Sequence, residues 1–340
     1  MKKQEIRNVL VPVDFSKMSI QAIDTAKRLA HRFGATVHLA HVHHWQYPLD
    51  FMGPVLTAGK SPVSFEEHRR ETLAEDLKTL ARKFDLPATA IHLIEGASAF
   101  HEICRLAEEI PADLIVMPTH GHTGLRHVFL GGTAERVVQH SPCPVFVSRE
   151  DAETLEGRYV SPINTILVPV DFSSCSRDGL NYAVSFAERT GAKVIVFHAV
   201  YPGYMYANNG LALYDVSGLE KAASDNAERQ MREFVSSVEF DGVKFETAIV
   251  PGPPAPEICS FAEQQNVDMI VTSTHGWTGF KHVLMGSIAE QTVRHAPCSV
   301  LVVPSHPKTR VANLAEQAGA GRSRSKAPRA LNRLKQVSRR

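Results

Sequence analysis

The chain is short of several things, and each shortage removes a class of protein. It has five cysteines in 340 residues and no pair spaced as Cys-x-x-Cys, so neither a disulfide framework nor a zinc ribbon is expected, and a reducing, cytoplasmic setting is. No uncharged apolar run approaches the ~18 residues of a membrane helix. The opening Met1-Lys-Lys-Gln-Glu-Ile-Arg7 leads directly into an acidic-ended apolar run and does not read as a signal peptide. No Gly-x-x-x-x-Gly-Lys-Ser/Thr occurs, which excludes a P-loop motor or kinase. No Ser-Gly-Gly loop follows the first apolar run, which argues against an adenylating enzyme. Charge of one sign is also missing, since 37 Lys/Arg face 36 Asp/Glu for a net of +1. That balance hides an asymmetry. Residues 308–340 hold ten Lys/Arg and one acid, so 1–307 carries 27 basic and 35 acidic residues.

What is present is an ordinary globular composition, 44% hydrophobic and 21% charged, at a length that suits two domains. An internal repeat supports that division. Val9-Leu-Val-Pro-Val-Asp-Phe-Ser16 returns as Ile166-Leu-Val-Pro-Val-Asp-Phe-Ser173, and 113–147 aligns without a gap to 268–302 with 19 identities in 35 positions. The chain is a tandem duplication. We divide it into copy one at 1–149, a polar linker at 150–162, copy two at 163–305 and a basic tail at 306–340.

Each copy alternates short β-branched runs with helical periodicity. In copy one the pattern predicts strands at 7–14, 36–42, 89–95, 113–118 and 144–148. Helices fit 64–84, 98–109 and 132–140, and a further helix carries Ile23, Ala26, Leu29, Ala30 and Phe33 and stops at Gly34. In copy two it predicts strands near 165–171, 193–199, 243–250, 268–273 and 299–303. Strands separated by helices imply two tandem α/β domains, each a doubly wound open parallel sheet, with ligands beyond the carboxyl ends of the strands. Attention therefore falls on Asp14 and Asp171, and on the segments after 118 and 273.

Those segments are rich in glycine. Copy one reads Pro118-Thr-His-Gly121-His-Thr-Gly124, and Gly131-Gly132-Thr133 opens the next helix; copy two reads Ser273-Thr-His-Gly276-Trp-Thr-Gly279, and Gly286-Ser287 opens its counterpart. Backbone N–H groups at a helix start, approached closely through glycine, make an anion site. Arg126 and Lys281 lie in the loops as cations for a phosphate. A simpler account is that the glycines permit tight turns and the hydroxyls cap helices. The same nine-residue gap, Gly121 to Gly131 and Gly276 to Gly286, kept twice, favours a phosphate cradle.

The Val-Pro-Val-Asp-Phe-Ser start, the Thr-His-Gly loop and the His-x-Pro-Cys-x-Val endings at His140–Val145 and His295–Val300 together resemble the universal stress proteins, as two UspA-type domains in tandem. The resemblance covers about 1–148 and 163–304 and implies a Rossmann-like, adenine nucleotide alpha hydrolase-like fold. It further implies ATP, with Mg2+, bound at Gly-x-x-Gly, nine residues, Gly-Ser/Thr. Both copies depart from that pattern. Ser273 and Pro118 replace its first glycine, and Gly132 replaces its hydroxyl, with Thr133 following. Proline has no N–H to offer, so the second site is expected to be the better one. By the same resemblance Asp14 and Asp171 face the adenosine, and Val42 and Ala199 line the adenine pocket. The alternative for the aspartates is that they brace the turn through Ser16 and Ser173.

The resemblance also implies that the last strands of the two copies pair as an intrachain pseudo-dimer; further homo-oligomerisation stays open. No catalytic residue is assigned. His120 and His275 are a titratable pair in the loops to which no catalytic role is given, and any ATP hydrolysis is expected to be slow. His38, His41, His43 and His44 cluster near one strand end, but no metal site is assigned, because copy two keeps only His198 there. Cys104, Cys143, Cys259 and Cys298 are expected to be buried small hydrophobes. Cys175 is expected near a helix start, where it is a candidate for an accessible thiol. The tail, with Leu331, Leu334 and Val337 on one side of a short basic stretch, suits nucleic acid or an acidic partner, or stays solvated with none.

Overall fold

The computed structural model describes residues 5–43, 62–119, 130–149, 162–201, 216–274 and 285–305. Copy one runs β1 (Asn8–Pro12), α1 (Lys17–Phe33), β2 (Thr36–His43), α2 (Pro62–Lys83), β3 (Ile91–Glu95), α3 (Ala99–Glu109), β4 (Leu114–Pro118), α4 (Gly132–His140) and β5 (Val145–Ser148). Copy two repeats the series as β6 (Thr165–Pro169), α5 (Ser174–Thr190), β7 (Lys193–Val200), α6 (Val216–Ser236), β8 (Phe245–Pro251), α7 (Pro254–Gln264), β9 (Met269–Ser273), α8 (Ser287–His295) and β10 (Ser299–Val303). The expected elements are there, with two differences. The first strand stops at Pro12, because the Asp-Phe-Ser segment that follows is a turn. Residues 88–90 form a single 3-10 turn ahead of β3.

The ten strands make one sheet in the order β3-β2-β1-β4-β5-β10-β9-β6-β7-β8. Pairing is parallel within each copy and antiparallel at the seam, where Val147 faces Val300, Phe146 faces Leu301 and Val145 faces Val302. This is the pseudo-dimer that the resemblance implied. Val9, Leu10 and Val11 are wholly buried, as are Ile166 and Leu167, because the central strands are covered on both faces. The outermost strand β8 is exposed over its first half. One hydrophobic cluster lies on each face of the sheet, and each contains residues of both copies. Helices α1 and α5 meet across the seam, with the Phe33 and Phe186 rings 5.1 Å apart.

Local chemistry sets the element ends. Ser16 and Ser173 cap α1 and α5, their side chains accepting from the Ser19 and Ser176 amides. Gly34 and Gly191 close the same helices in the left-handed region, at φ 70° and 78°. The carboxylate of Asp113 accepts from the amides of Arg7 and Asn8 at 2.8 and 3.0 Å, and that of Asp268 from Asn164 and Thr165 at 2.8 and 2.9 Å. In each copy this ties the entry of the first strand to that of the fourth.

Candidate functional site

In the order β3-β2-β1-β4-β5 the chain goes to one side after β1 and to the other after β4, so the crevice lies beyond the carboxyl ends of these neighbours. The same holds for β6 and β9. Asp14 follows β1 and Asp171 follows β6; Val42 lies in β2 beside Ile94, and Ala199 lies in β7 beside Val250.

The aspartates brace the turn. Asp14 Oδ1 accepts from the Ser16 amide at 3.0 Å, and Asp171 Oδ1 accepts from the Ser173 amide at 3.1 Å and its hydroxyl at 2.5 Å. The residues between them, Phe15 and Phe172, have φ of 61° and 63°. His41 Nδ1 lies 2.8 Å from the Val13 carbonyl oxygen, and His198 Nδ1 lies 2.8 Å from that of Val170.

The glycines that open α4 and α8 lie at the same end of the sheet as these turns, tied to the residues that follow β4 and β9. Gly131 and Gly286 are N-caps with φ −60° and −68°, and no side chain caps either helix. Their amides donate to the carbonyls of Thr119 and Thr274, both at 2.8 Å. Thr119 and Thr274 are themselves buried, and Thr274 is also bound through its hydroxyl to Ser305, whose amide donates to it at 3.2 Å. Gly132, Thr133 and Ser287 are exposed in the first turns of these helices. Among the described residues nothing demands glycine at 286. A Cβ there would lie 3.6 Å from the Thr274 carbonyl oxygen, an ordinary contact, and its backbone angles suit any residue. A Cβ on Gly132 would meet no described atom within 4 Å. Ser273 ends β9 and Pro118 ends β4, so the fourth strands deliver the two departures from the pattern to the same place.

Of the expected site residues, the structure thus gathers Asp14, Val42, Gly131, Gly132 and Thr133 around one strand end and Asp171, Ala199, Ser273, Gly286 and Ser287 around its counterpart. Gly121 and Gly276 lie outside the described residues, as do His120, Arg126, His275, Lys281, His44 and the tail. Sequence reasoning missed the roles of Thr119 and Thr274, and of His41 and His198. The signal was available, since all four recur at the repeat offset.

The histidines do not assemble a metal site among the described residues, where no three metal-binding side chains converge. His38 Nδ1 and His92 Nε2 are 3.2 Å apart with ring centroids 5.4 Å apart, a separation at which one ring donates a hydrogen bond to the other. One expectation needs correcting. Cys104 and Cys143 are buried, but Cys259 and Cys298 are only half-buried, because copy two covers these positions less completely. Burial still pushes the thiols of Cys104, Cys143 and Cys298 up to about 12.

The family model described as the universal stress protein family matches residues 5–149 and 162–304, most of the chain and once per copy. The chain belongs to the universal stress protein family. It is 29% identical over 143 residues to a universal stress protein of Methanocaldococcus jannaschii, covering 83% of that relative and 42% of this chain, so the relative has the length of one copy. Among solved structures, a Pseudomonas aeruginosa protein described as functionally unknown superposes with TM-score 0.62 at 17% identity, over 94% of this chain and 99% of its own. A universal stress protein of Archaeoglobus fulgidus superposes with TM-score 0.56 at 20% identity, over 87% and 96% respectively. These two likenesses establish that the tandem fold is shared.

Proposed function

We propose that this universal stress protein binds ATP with Mg2+, that occupancy alters its packing or its choice of partner in a stress response, and that it works in the cytoplasm. The observation that carries the reading is the uncapped glycine start of α4 and α8, at the same sheet end as an aspartate turn, twice. Among the described residues nothing demands glycine at 132 or 286, and a phosphate approaching the N–H groups of the first helical turns explains them. The second site, with Asp171, Ala199, Ser273, Gly276, Gly286 and Ser287, is the stronger. The first, with Asp14, Val42, Gly121, Gly131, Gly132 and Thr133, lacks the amide at Pro118 and the hydroxyl at Gly132. We assign no catalytic residue.

Calorimetric titration of nucleotide-stripped protein with Mg-ATP tests this. Saturable binding is expected, lost at the second site in Asp171→Ala and Gly286→Val. The extended backbone at Gly286 suits a side chain and a Cβ there makes only an ordinary contact among the described residues, so that variant should fold. No heat at millimolar ATP, with an unchanged melting temperature, would overturn the reading. Pro118, Gly132 and Ser273 favour a second reading, an interaction scaffold of the same fold without nucleotide, and that outcome would leave it standing. The basic tail would then be the first place to seek a partner, nucleic acid or an acidic protein.

A further inference from the structure

The turn after the first strand of each copy is held in a conformation that its own residues resist. Phe15 and Phe172 occupy the left-handed region at φ 61° and 63°, where a bulky side chain is an outlier. Glycine would relax the turn, yet phenylalanine stands there in both copies. Such conformations persist only where surrounding contacts over-determine them.

A histidine on the neighbouring strand supplies contacts in both copies, beside the core packing that includes the Phe234 ring at 5.7 Å from Phe172. His41 Nδ1 meets the Val13 carbonyl and its ring lies 4.7 Å from that of Phe15; His198 Nδ1 meets the Val170 carbonyl and its ring lies 4.3 Å from that of Phe172. A carbonyl only accepts, so Nδ1 carries the proton in both rings. The carbonyl belongs to the residue before the aspartate and the phenylalanine to the residue after it. Each imidazole therefore grips both flanks of one carboxylate. Strand pairing does not need this grip, because the Val13 and Val170 amides already donate to Ala40 and Phe197 at 2.7 and 2.8 Å.

We propose that His41 and His198 are positioning residues of the two candidate nucleotide sites, clasping the Asp14 and Asp171 turns so that each carboxylate keeps its aim at the ligand. The proposal rests on the nucleotide reading and assigns the aim of the carboxylate to a residue that touches no ligand.

Two replacements separate the donor from the ring. His198→Asn places an amide N–H where Nδ1 stood and removes the ring; His198→Phe keeps a ring and removes the donor. Mg-ATP affinity and melting temperature are measured on the full chain for both, and for the matching changes at His41. Asn is expected to keep second-site affinity within about threefold of the unaltered protein despite a lower melting temperature, and Phe to weaken it about tenfold, the usual effect of one lost hydrogen bond. Affinity that falls in step with melting temperature in both variants, or a His198→Phe protein that binds as the unaltered one does, would overturn the proposal and leave the nucleotide reading intact. Absence of binding by the unaltered protein overturns both.

Discussion

Three histidines are held neutral by their surroundings. Burial lowers the pKa of His38, His92 and His198, in His198 against the opposing pull of the Val170 carbonyl. Asn8 Nδ2 donates to the carbonyls of Ile110 and Pro111, so its Oδ1 must accept from His38 Nε2. His38 Nδ1 is then the acceptor for the His92 Nε2 proton, and protonation of His38 would set two N–H groups face to face. The unfolded chain takes up protons at an ordinary histidine pKa near 6.5, and the folded chain takes them up only at lower pH. The stability these groups provide is therefore complete above that value and is lost as pH falls below it. The melting temperature should drop between about pH 7 and pH 5, and His38→Gln should flatten the drop; a pH-independent melt would refute the assignment. The cysteines allow a second residue-scale test. Thiols with pKa near 12 are almost wholly protonated at pH 8, so Cys104, Cys143 and Cys298 should resist alkylation in the folded protein. Cys175, half-buried in the first turn of α5, should label first, as peptide mapping would show.

At the scale of elements, Ser173 both caps α5 and binds Asp171. Ser173→Ala should cost about 1 kcal/mol of stability in denaturant titration, in the range of other lost caps. Much at this scale was legible in the sequence. The helix at 132–140 and the strand at 299–303 match residue for residue, because glycine or proline and polar residues bound a short apolar pattern on each side. The strand expected through Asp14 ended early for a reason that lies outside its own pattern. Val13 and Asp14 look extended, but a left-handed Phe15 turns the chain, and the contacts that hold it come from β2. His41 likewise read as one member of a histidine cluster, since its partner is a carbonyl 28 residues away that only the fold brings near. The glycines that open α4 and α8 were legible as a pattern; that their amides reach back to Thr119 and Thr274 was not, because a hydrogen bond across a loop leaves no periodicity.

At the scale of the molecule, the two copies share both cores and a seam of buried valine, phenylalanine and leucine. Thermal unfolding should therefore be one transition by calorimetry; two separate transitions would show that the copies fold independently. Produced alone, residues 162–305 would expose the β10 edge and should self-associate through it, giving a dimer in sedimentation. The antiparallel seam has one more consequence. Strands of copy one and copy two point in opposite directions, so the two crevices open at opposite poles of the sheet. A partner that recognises one crevice finds its counterpart on the opposite side of the sheet, so a bivalent partner would link one molecule to the next.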